Sequence, residues 1–199
     1  MATAVIALTG EPGAGKSTAA QWFVSKGAAL LDADAIVRDL WMGVELPALA
    51  RARWGEAVFK NGAVDKKAVA DRVFQNDDDY RWLCNATHPV VYARMERMLP
   101  PDGVVVAEIP MLFETARPSW VDKVLFLYAD GTRRAERNSF RGLDQSELTR
   151  RERFFRSREE RAALSDWAIC NDGGREALYA KLEPVWQTME CLALDARHK

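Results

Sequence analysis

The order of apolar runs along this chain predicts an α/β protein built on a doubly wound parallel sheet. Three observations lead to that class. Short apolar stretches without polar alternation recur, as strands covered on both faces require. Between them the apolar spacing changes to three and four residues, the period of a helix. The alternation itself implies right-handed crossovers between parallel strands.

The first run is Ala4 to Leu8, bounded by Gly10, and beyond Gly15 the residues Ala19, Ala20, Phe23 and Val24 keep helical spacing. Ala28 to Leu31 is the second run, after which Asp32-Ala33-Asp34 opens a helical stretch through Ile36, Val37, Leu40 and Trp41. From Pro47 to Leu99 the pattern is helical and amphipathic, the mark of an inserted helical region. It is broken by the turn-like Lys60-Asn61-Gly62 and by His88-Pro89, where the proline suits the first turn of a helix. Pro100-Pro101-Asp102-Gly103 reads as a loop returning to the sheet. Val104 to Ala107 and Val124 to Leu127 are further buried strands, and Trp167 to Cys170 is a weaker fifth. Glu176 to Leu194, apolar at Leu178, Leu182, Val185 and Met189, closes the chain as a helix.

Composition narrows the class. The 199 residues, 48% hydrophobic, can bury one substantial core. Lys+Arg of 28 against Asp+Glu of 29 leaves a charge of -1, so no global field recruits nucleic acid or an anionic membrane surface, and neither partner is expected. Cys84, Cys170 and Cys191 are odd in number and widely spaced, with no C-x-x-C pair, which argues against a disulfide framework and a zinc site. The opening MATAVIALTG has no basic n-region, and no apolar span approaches the roughly 18 residues a membrane helix needs. A soluble protein of the reducing cytoplasm is expected. Asn85-Ala86-Thr87 matches a glycosylation sequon by chance.

Gly10-Glu11-Pro12-Gly13-Ala14-Gly15-Lys16-Ser17-Thr18 fits G-x-x-x-x-G-K-[ST], placed after a strand and before a helix. Its glycines let successive backbone N–H groups turn inward around phosphate oxygens, and the helix N-terminus adds its positive end. Lys16 can bridge β and γ phosphates, and Ser17 offers a hydroxyl to Mg²⁺. The N-K-x-D and D-x-x-G strings of a GTPase are both missing, and there is no second nucleotide-binding core or basic channel of the helicase kind. A small-molecule kinase remains. Such an enzyme needs a group near the acceptor hydroxyl and arginines around the transferring phosphoryl. Asp32 and Asp34, at the carboxyl end of the second strand, can serve the first need or can simply cap the following helix. Thr132 to Arg161 holds ten arginines against six acids, with Gly142 as a flexible point, although most of those arginines suit a solvated helix laced with Glu-Arg pairs. His88 either caps a helix or contacts an anionic substrate. With His198 as the only other histidine, no metal cluster is implied, and Trp22, Trp41, Trp54, Trp82 and Trp186 read as core packing.

From near Ala4 to about Trp186 the order of motifs resembles the dephospho-coenzyme A kinase family. ALTGEPGAGKST (Ala7 to Thr18) is similar to its phosphate loop, LDADAI (Leu31 to Ile36) to its V-I-D-A-D-x-I segment, and Asn61 to Phe74 to its G-x-L-D-R-x-A-L-R-x-x-V-F stretch. His88-Pro89 matches its H-P pair, EIPMLFE (Glu108 to Glu114) resembles V-P-L-L-F-E, and Arg158 to Asn171 resembles R-E-x-R-x-x-x-A-D-x-V-I-x-N. The resemblance implies a P-loop kinase core with a helical acceptor-binding region and an Arg-rich lid, converting ATP and dephospho-coenzyme A to ADP and coenzyme A at a ribose 3′-hydroxyl. It implies that Gly13, Ala14, Gly15, Lys16, Ser17 and Thr18 bind ATP, that Asp34 is the general base beside catalytic Lys16, and that Arg137 and Arg141 contact phosphates. Asp32, His88 and Arg158 are expected on the acceptor side, and Ser17 on Mg²⁺. One unit over 1–199 is expected: core 1–46, 100–140 and 165–199, acceptor region 47–99, lid 141–164. The family's common R-D-G is Arg141-Gly142-Leu143 here, and Phe154-Phe155-Arg156 stands where a glutamine-containing stretch is usual. The alternatives are another small-molecule or nucleoside monophosphate kinase, and a nucleotide-binding regulator without turnover. The regulator would lack Lys16 or the acceptor-side carboxylate, and both are present.

Overall fold

In the computed structural model, which describes residues 2–139 and 145–197, the first apolar run extends to a nine-residue strand, β1 (Ala2–Gly10). It is followed by α1 (Lys16–Ser25), β2 (Ala29–Asp32), α2 (Ala33–Met42), α3 (Glu45–Trp54), β3 (Phe59–Lys60) and β4 (Ala63–Val64). Then come α4 (Lys66–Val73), α5 (Asp77–Arg97), β5 (Asp102–Glu108), β6 (Lys123–Tyr128) and α6 (Gly131–Ser139). The chain continues through α7 (Gln145–Glu152), α8 (Arg158–Ala163), β7 (Trp167–Cys170) and α9 (Arg175–Arg197).

The five-stranded sheet runs β2-β5-β1-β6-β7, every pair parallel. β1 therefore has a neighbour on each side, and Ile6, Ala7 and Leu8 are fully buried. That is why its sequence shows no alternation. Chain leaves β1 for β2 on one flank, while β6 leads to β7 on the other, so the loop after Gly10 emerges where the winding direction reverses. Such a switch point, at the carboxyl ends of strands, is where open α/β sheets bind ligands. One face of the sheet is covered by α1 and α9, which place Phe23, Leu178, Leu182 and Met189 against Ile6, Leu8, Val106 and Leu127. Trp22 and Trp186 both pack on Phe23, as their helical spacing anticipated.

The chain divides into two compact units, Met1–Asp32 with Met95–Lys199, and Ala33–Arg94. The sequence reading set these limits at 46/47 and 99/100. α2 falls in the second unit because it packs on α3. Within that unit Asp79, buried at 6% exposure, gathers three helices. Arg53 Nε and Trp54 Nε1 of α3 donate to its Oδ1 at 2.8 and 2.9 Å, and Arg72 Nε of α4 donates to Oδ2 at 3.0 Å. Burial pushes the Asp79 pKa up, but the bonds from Trp54 and Arg53 and the charges of Arg72 and Arg53 outweigh it and hold the group below the usual carboxylate range.

Two local readings change. The turn at Lys60-Asn61-Gly62 is present, but it joins two short strands instead of breaking a helical stretch: Asn61 (φ 53°) and Gly62 (φ 79°) form the two-residue turn of the β3-β4 hairpin. His88-Pro89 does not open a helix but lies inside α5. The start belongs to Asn76, whose Oδ1 accepts from the N–H of Asp78 and Asp79 at 2.9 and 3.0 Å, ahead of an acidic first turn. Pro89 leaves the carbonyl of exposed Asn85 without its helical donor, a loss that solvent offsets.

Asp79→Asn should lower stability by about 2–3 kcal/mol, because charge-assisted bonds to two arginines are lost while both guanidinium groups still reach solvent. Urea unfolding followed by tryptophan fluorescence measures it, and an unmoved midpoint would refute the anchoring role.

Candidate active site

The phosphate loop hangs from the carboxyl end of β1 and feeds α1, so its conformation decides which backbone donors remain for a ligand. Gly13 (φ 78°) and Gly15 (φ 97°) are left-handed, and neither has room for a side chain. A Cβ on Gly13 would lie 2.6 Å from Asn138 Nδ2, and one on Gly15 would lie 2.4 Å from Asn171 Nδ2. Gly15 is also the N-cap of α1 and supplies no side-chain cap, so the opening turn presents its N–H groups as an anion site does. Lys16 Nζ donates to the carbonyls of Gly10 and Glu11 at 3.0 and 3.1 Å, folded over its own loop. Ala14 is fully buried behind the loop, Thr18 is half-buried, and Ser17, in the first turn of α1, is exposed.

The arginine-rich segment behaves differently from the expected solvated helix. Glu11, 3% exposed, draws guanidinium groups from two helices. Arg158 donates to it through Nε and Nη2 at 2.8 and 2.9 Å, Arg134 approaches at 3.2 Å and Arg161 at 3.5 Å. Arg158 also donates to the Ala129 carbonyl at 2.9 Å. Arg137 ties the loop to the end of β7, with Nη1 donating to Gly13 O and Nη2 to Asn171 O, both at 3.1 Å. Arg133 keeps the surface character anticipated for the segment, with an exposed approach to Glu136 at 3.9 Å. Arg141 lies outside the described residues.

Asn171 and Asn138 were not singled out by sequence reasoning, nor was Glu11. Asn171 Nδ2 donates to Ala14 O at 2.8 Å, and Asn171 with Gly13, Gly15, Thr18, Arg137 and Gly173 lines a cavity of 310 Å³. Asn138, with no exposure, has neither side-chain polar atom hydrogen-bonded, a burden of about 1–3 kcal/mol held against the loop. The signal for Glu11 was available: an acid inside a loop built for anions demands cations near it, and the chain has an arginine-rich stretch to supply them.

In the second unit, Asp34 is exposed in the first turn of α2, and the position just before that helix is Asp32. Asp34 and Arg38 line a cavity of 320 Å³ whose other walls include Trp41, Val69, Val73 and Phe74. Trp41 is accordingly half-buried at a cavity wall instead of packed in a core. Asp32 itself ends β2, in register with Glu108. His88 stacks on Tyr92 at 6.0 Å, and its buried Nδ1 makes no hydrogen bond. Burial pushes its pKa below the usual imidazole value, so it stays neutral near pH 7. Among the described residues no group of three or more His, Cys, Asp or Glu could hold a metal ion, and no helix is long and apolar enough to cross a membrane.

A family model for dephospho-CoA kinase matches residues 4–177. The dephospho-CoA kinase of Aquifex aeolicus (strain VF5) is 30% identical over 189 residues, covering 92% of this chain and 96% of its own. A Thermus thermophilus protein of solved crystal structure shares 30% identity with a TM-score of 0.80, over 94% of this chain and 97% of that one. The structure of a Campylobacter jejuni dephospho-CoA kinase, 22% identical, shares the fold with a TM-score of 0.66 over 94% of this chain and 98% of its own.

The neutral, half-buried His88 makes stability depend on pH. Its folded pKa is depressed, so between that value and the unfolded value of about 6.5 the unfolded chain binds more protons. Stability from this group is complete above the unfolded pKa and is lost as pH falls through the window. His88→Phe should therefore lose less thermal stability than wild type between about pH 7 and about pH 5, measured by circular dichroism melts. Equal losses in both proteins would remove His88 from the account.

Proposed function

The chain belongs to the dephospho-CoA kinase family, and on that premise we propose how its residues divide the work. The enzyme transfers the γ-phosphate of ATP to the ribose 3′-hydroxyl of dephospho-CoA, giving ADP and CoA, the last step of CoA biosynthesis. The single observation that carries the donor half is the loop: left-handed Gly13 and Gly15, an uncapped α1 and Lys16 at its first position.

The backbone N–H groups from Gly13 to Thr18 cradle the β and γ phosphates. Lys16 trades its two carbonyl acceptors for phosphate oxygens, a better partner for an ammonium group. The cavity beside Asn171 and Gly173 takes the nucleoside part of ATP. Arg137, already fixed to Gly13 O and Asn171 O, lends its charge to the phosphates, and Arg141 joins it. The exposed hydroxyl of Ser17 suits Mg²⁺, which takes few protein ligands and mostly phosphate and water oxygens. When bound, Mg²⁺ offsets charge developing between the β and γ phosphates.

Asp34 accepts the proton of the 3′-hydroxyl as that oxygen bonds to the γ-phosphorus and the bond to the ADP oxygen breaks. The cavity it lines is largely apolar, with Arg38 as a cation for an acceptor phosphate. His88, neutral, can hydrogen-bond the acceptor but cannot pair with its charge. Asp32 and Arg158 complete the set, Asp32 chiefly by supporting the start of α2. Three free thiols, Cys84, Cys170 and Cys191, suit a reducing cytoplasm.

Purified protein with ATP, Mg²⁺ and dephospho-CoA should yield CoA, identified by mass, and no product at saturating substrates overturns the reading. In the same assay Asp34→Asn should turn over about 100- to 10,000-fold more slowly, softened where the transition state is loose, while melting like wild type. Asp32→Asn should remain active. The reverse ranking would show that the other carboxylate takes the proton.

A further inference from the structure

A carboxylate inside a polyphosphate loop opposes its ligand. Like charges repel in a weakly screened site, so a carboxylate at Glu11 calls for a role that offsets this. Its surroundings indicate what. Of the three arginines that converge on it, Arg134 and Arg161 have side chains only 11% and 9% exposed, whereas Arg158 is 38% exposed. Arg134 is further held by the Pro12 carbonyl and by Glu152, so its donors are committed to the protein. Arg158 is gripped along one edge only. Nε and Nη2 bond to the two oxygens of Glu11, Nη2 also reaches Ala129 O, and the guanidinium lies 5.2 Å from the Tyr128 ring centre. Nη1 makes no hydrogen bond to the described residues.

We propose that Glu11 is a positioning residue for phosphoryl transfer, clamping the Nε–Nη2 edge of Arg158 so that Nη1 is aimed at a phosphate oxygen of the reacting pair. The inference rests on the kinase reading above and adds a residue to it. An arginine fixed by one edge has already lost the side-chain freedom that phosphate binding would otherwise remove, so its remaining donors act without reorganisation. Arg134 from α6 and Arg161 from α8 also approach Glu11, so its charge is shared among three guanidinium groups and opposes an anion at the loop less than a lone carboxylate would. Main-chain geometry fits the same role. The Glu11 N–H donates to Leu127 O at 3.0 Å and its carbonyl accepts from Lys16, so the clamp and the loop lysine share one residue.

Two measurements test it. In ¹⁵N-labelled wild type, the Arg158 Nε–H resonance, assigned by its loss in Arg158→Lys, should be shifted downfield and slow to exchange. It should stay so when a non-hydrolysable ATP analogue with Mg²⁺ is added. A return to the free-arginine position on nucleotide binding would overturn the proposal, because Glu11 would then be a stand-in that phosphate displaces. The second measurement is a double-mutant cycle on turnover. Glu11→Gln and Arg158→Ala should each lower kcat by about 10- to 100-fold while KM for dephospho-CoA stays within about twofold, and the double variant should be no more than about threefold worse than the slower single one. Multiplying losses would show that Glu11 does not act through Arg158. Should Glu11→Gln fold poorly, the resonance in the wild-type protein still decides. Failure of wild type to make CoA would strike the kinase reading and leave the Glu11–Arg158 geometry as a separate matter.

Discussion

A phosphate loop must leave backbone N–H groups unpaired where folded chains ordinarily pair theirs, and a loop in that condition has no ladder or helix of its own to hold its shape. The constraint therefore falls on its neighbours. β1 is paired on both sides and buried through Ile6, Ala7 and Leu8, which fixes where the loop begins. Beyond Gly10 the loop is held by its carbonyls and by side chains from distant elements: Glu11 N–H on Leu127 O, Asn171 on Ala14 O, Arg137 on Gly13 O and Arg134 on Pro12 O. These bonds use the acceptors of the loop, together with the N–H groups of Glu11 and Ala14, the latter donating to Glu11 O at 3.1 Å, and leave the remaining glycine-rich donors to an anion. The left-handed glycines follow from the same constraint, since the flanking Asn138 and Asn171 approach too closely for any Cβ.

The two units use one device for cohesion. In each, a nearly buried carboxylate collects arginines from two helices: Glu11 takes Arg134, Arg158 and Arg161, and Asp79 takes Arg53 and Arg72 with the Trp54 indole. Buried ion pairs are weak evidence for net stability, because desolvation offsets most of the attraction. Their effect is on specificity of arrangement, since a misplaced helix would strand a carboxylate or a guanidinium without its partner. The difference between the two is exposure. Both Asp79 arginines are partly solvated at their outer faces, whereas Glu11 rests on two nearly buried arginines and one that reaches outward.

Strands and loop were legible in the sequence because their signals are local. A strand buried on both faces writes itself as an unbroken apolar run, and β7, Trp167–Cys170, has the limits its run predicts. The ends of β5 were hidden because Asp102 and Gly103 read as turn residues, yet they pair with Ala2 and Thr3 of the central strand. The β3-β4 hairpin, two residues a side, is too short to carry a period. His88-Pro89 misled because a rule about proline is local, while the start of α5 was decided by Asn76 and three following aspartates. Which arginines Glu11 gathers was out of reach for a different reason. Its partner Arg158 is 147 positions away, and Asn171 is 157 from Ala14, distances over which no pattern in the chain announces a contact.

Arg137 and Arg158 can now be told apart by how each is anchored. A guanidinium has five donors, and Arg137 commits two, one on each Nη, to the carbonyls of Gly13 and Asn171. Those acceptors are neutral, so Arg137 keeps three donors and loses less of its charge to its anchors than Arg158 does, although Asp172 lies within reach of its field. Arg158 is anchored on a carboxylate, which fixes its orientation more firmly and cancels much of its field at a distance. A phosphate nearby would therefore feel Arg137 mainly as charge and Arg158 mainly as an oriented donor. The expectation separated them only by ligand, Arg137 on the phosphates of ATP and Arg158 on the acceptor side. The chemistry of their partners separates them, one lending electrostatic stabilisation and the other geometry, and phosphoryl transfer draws on both.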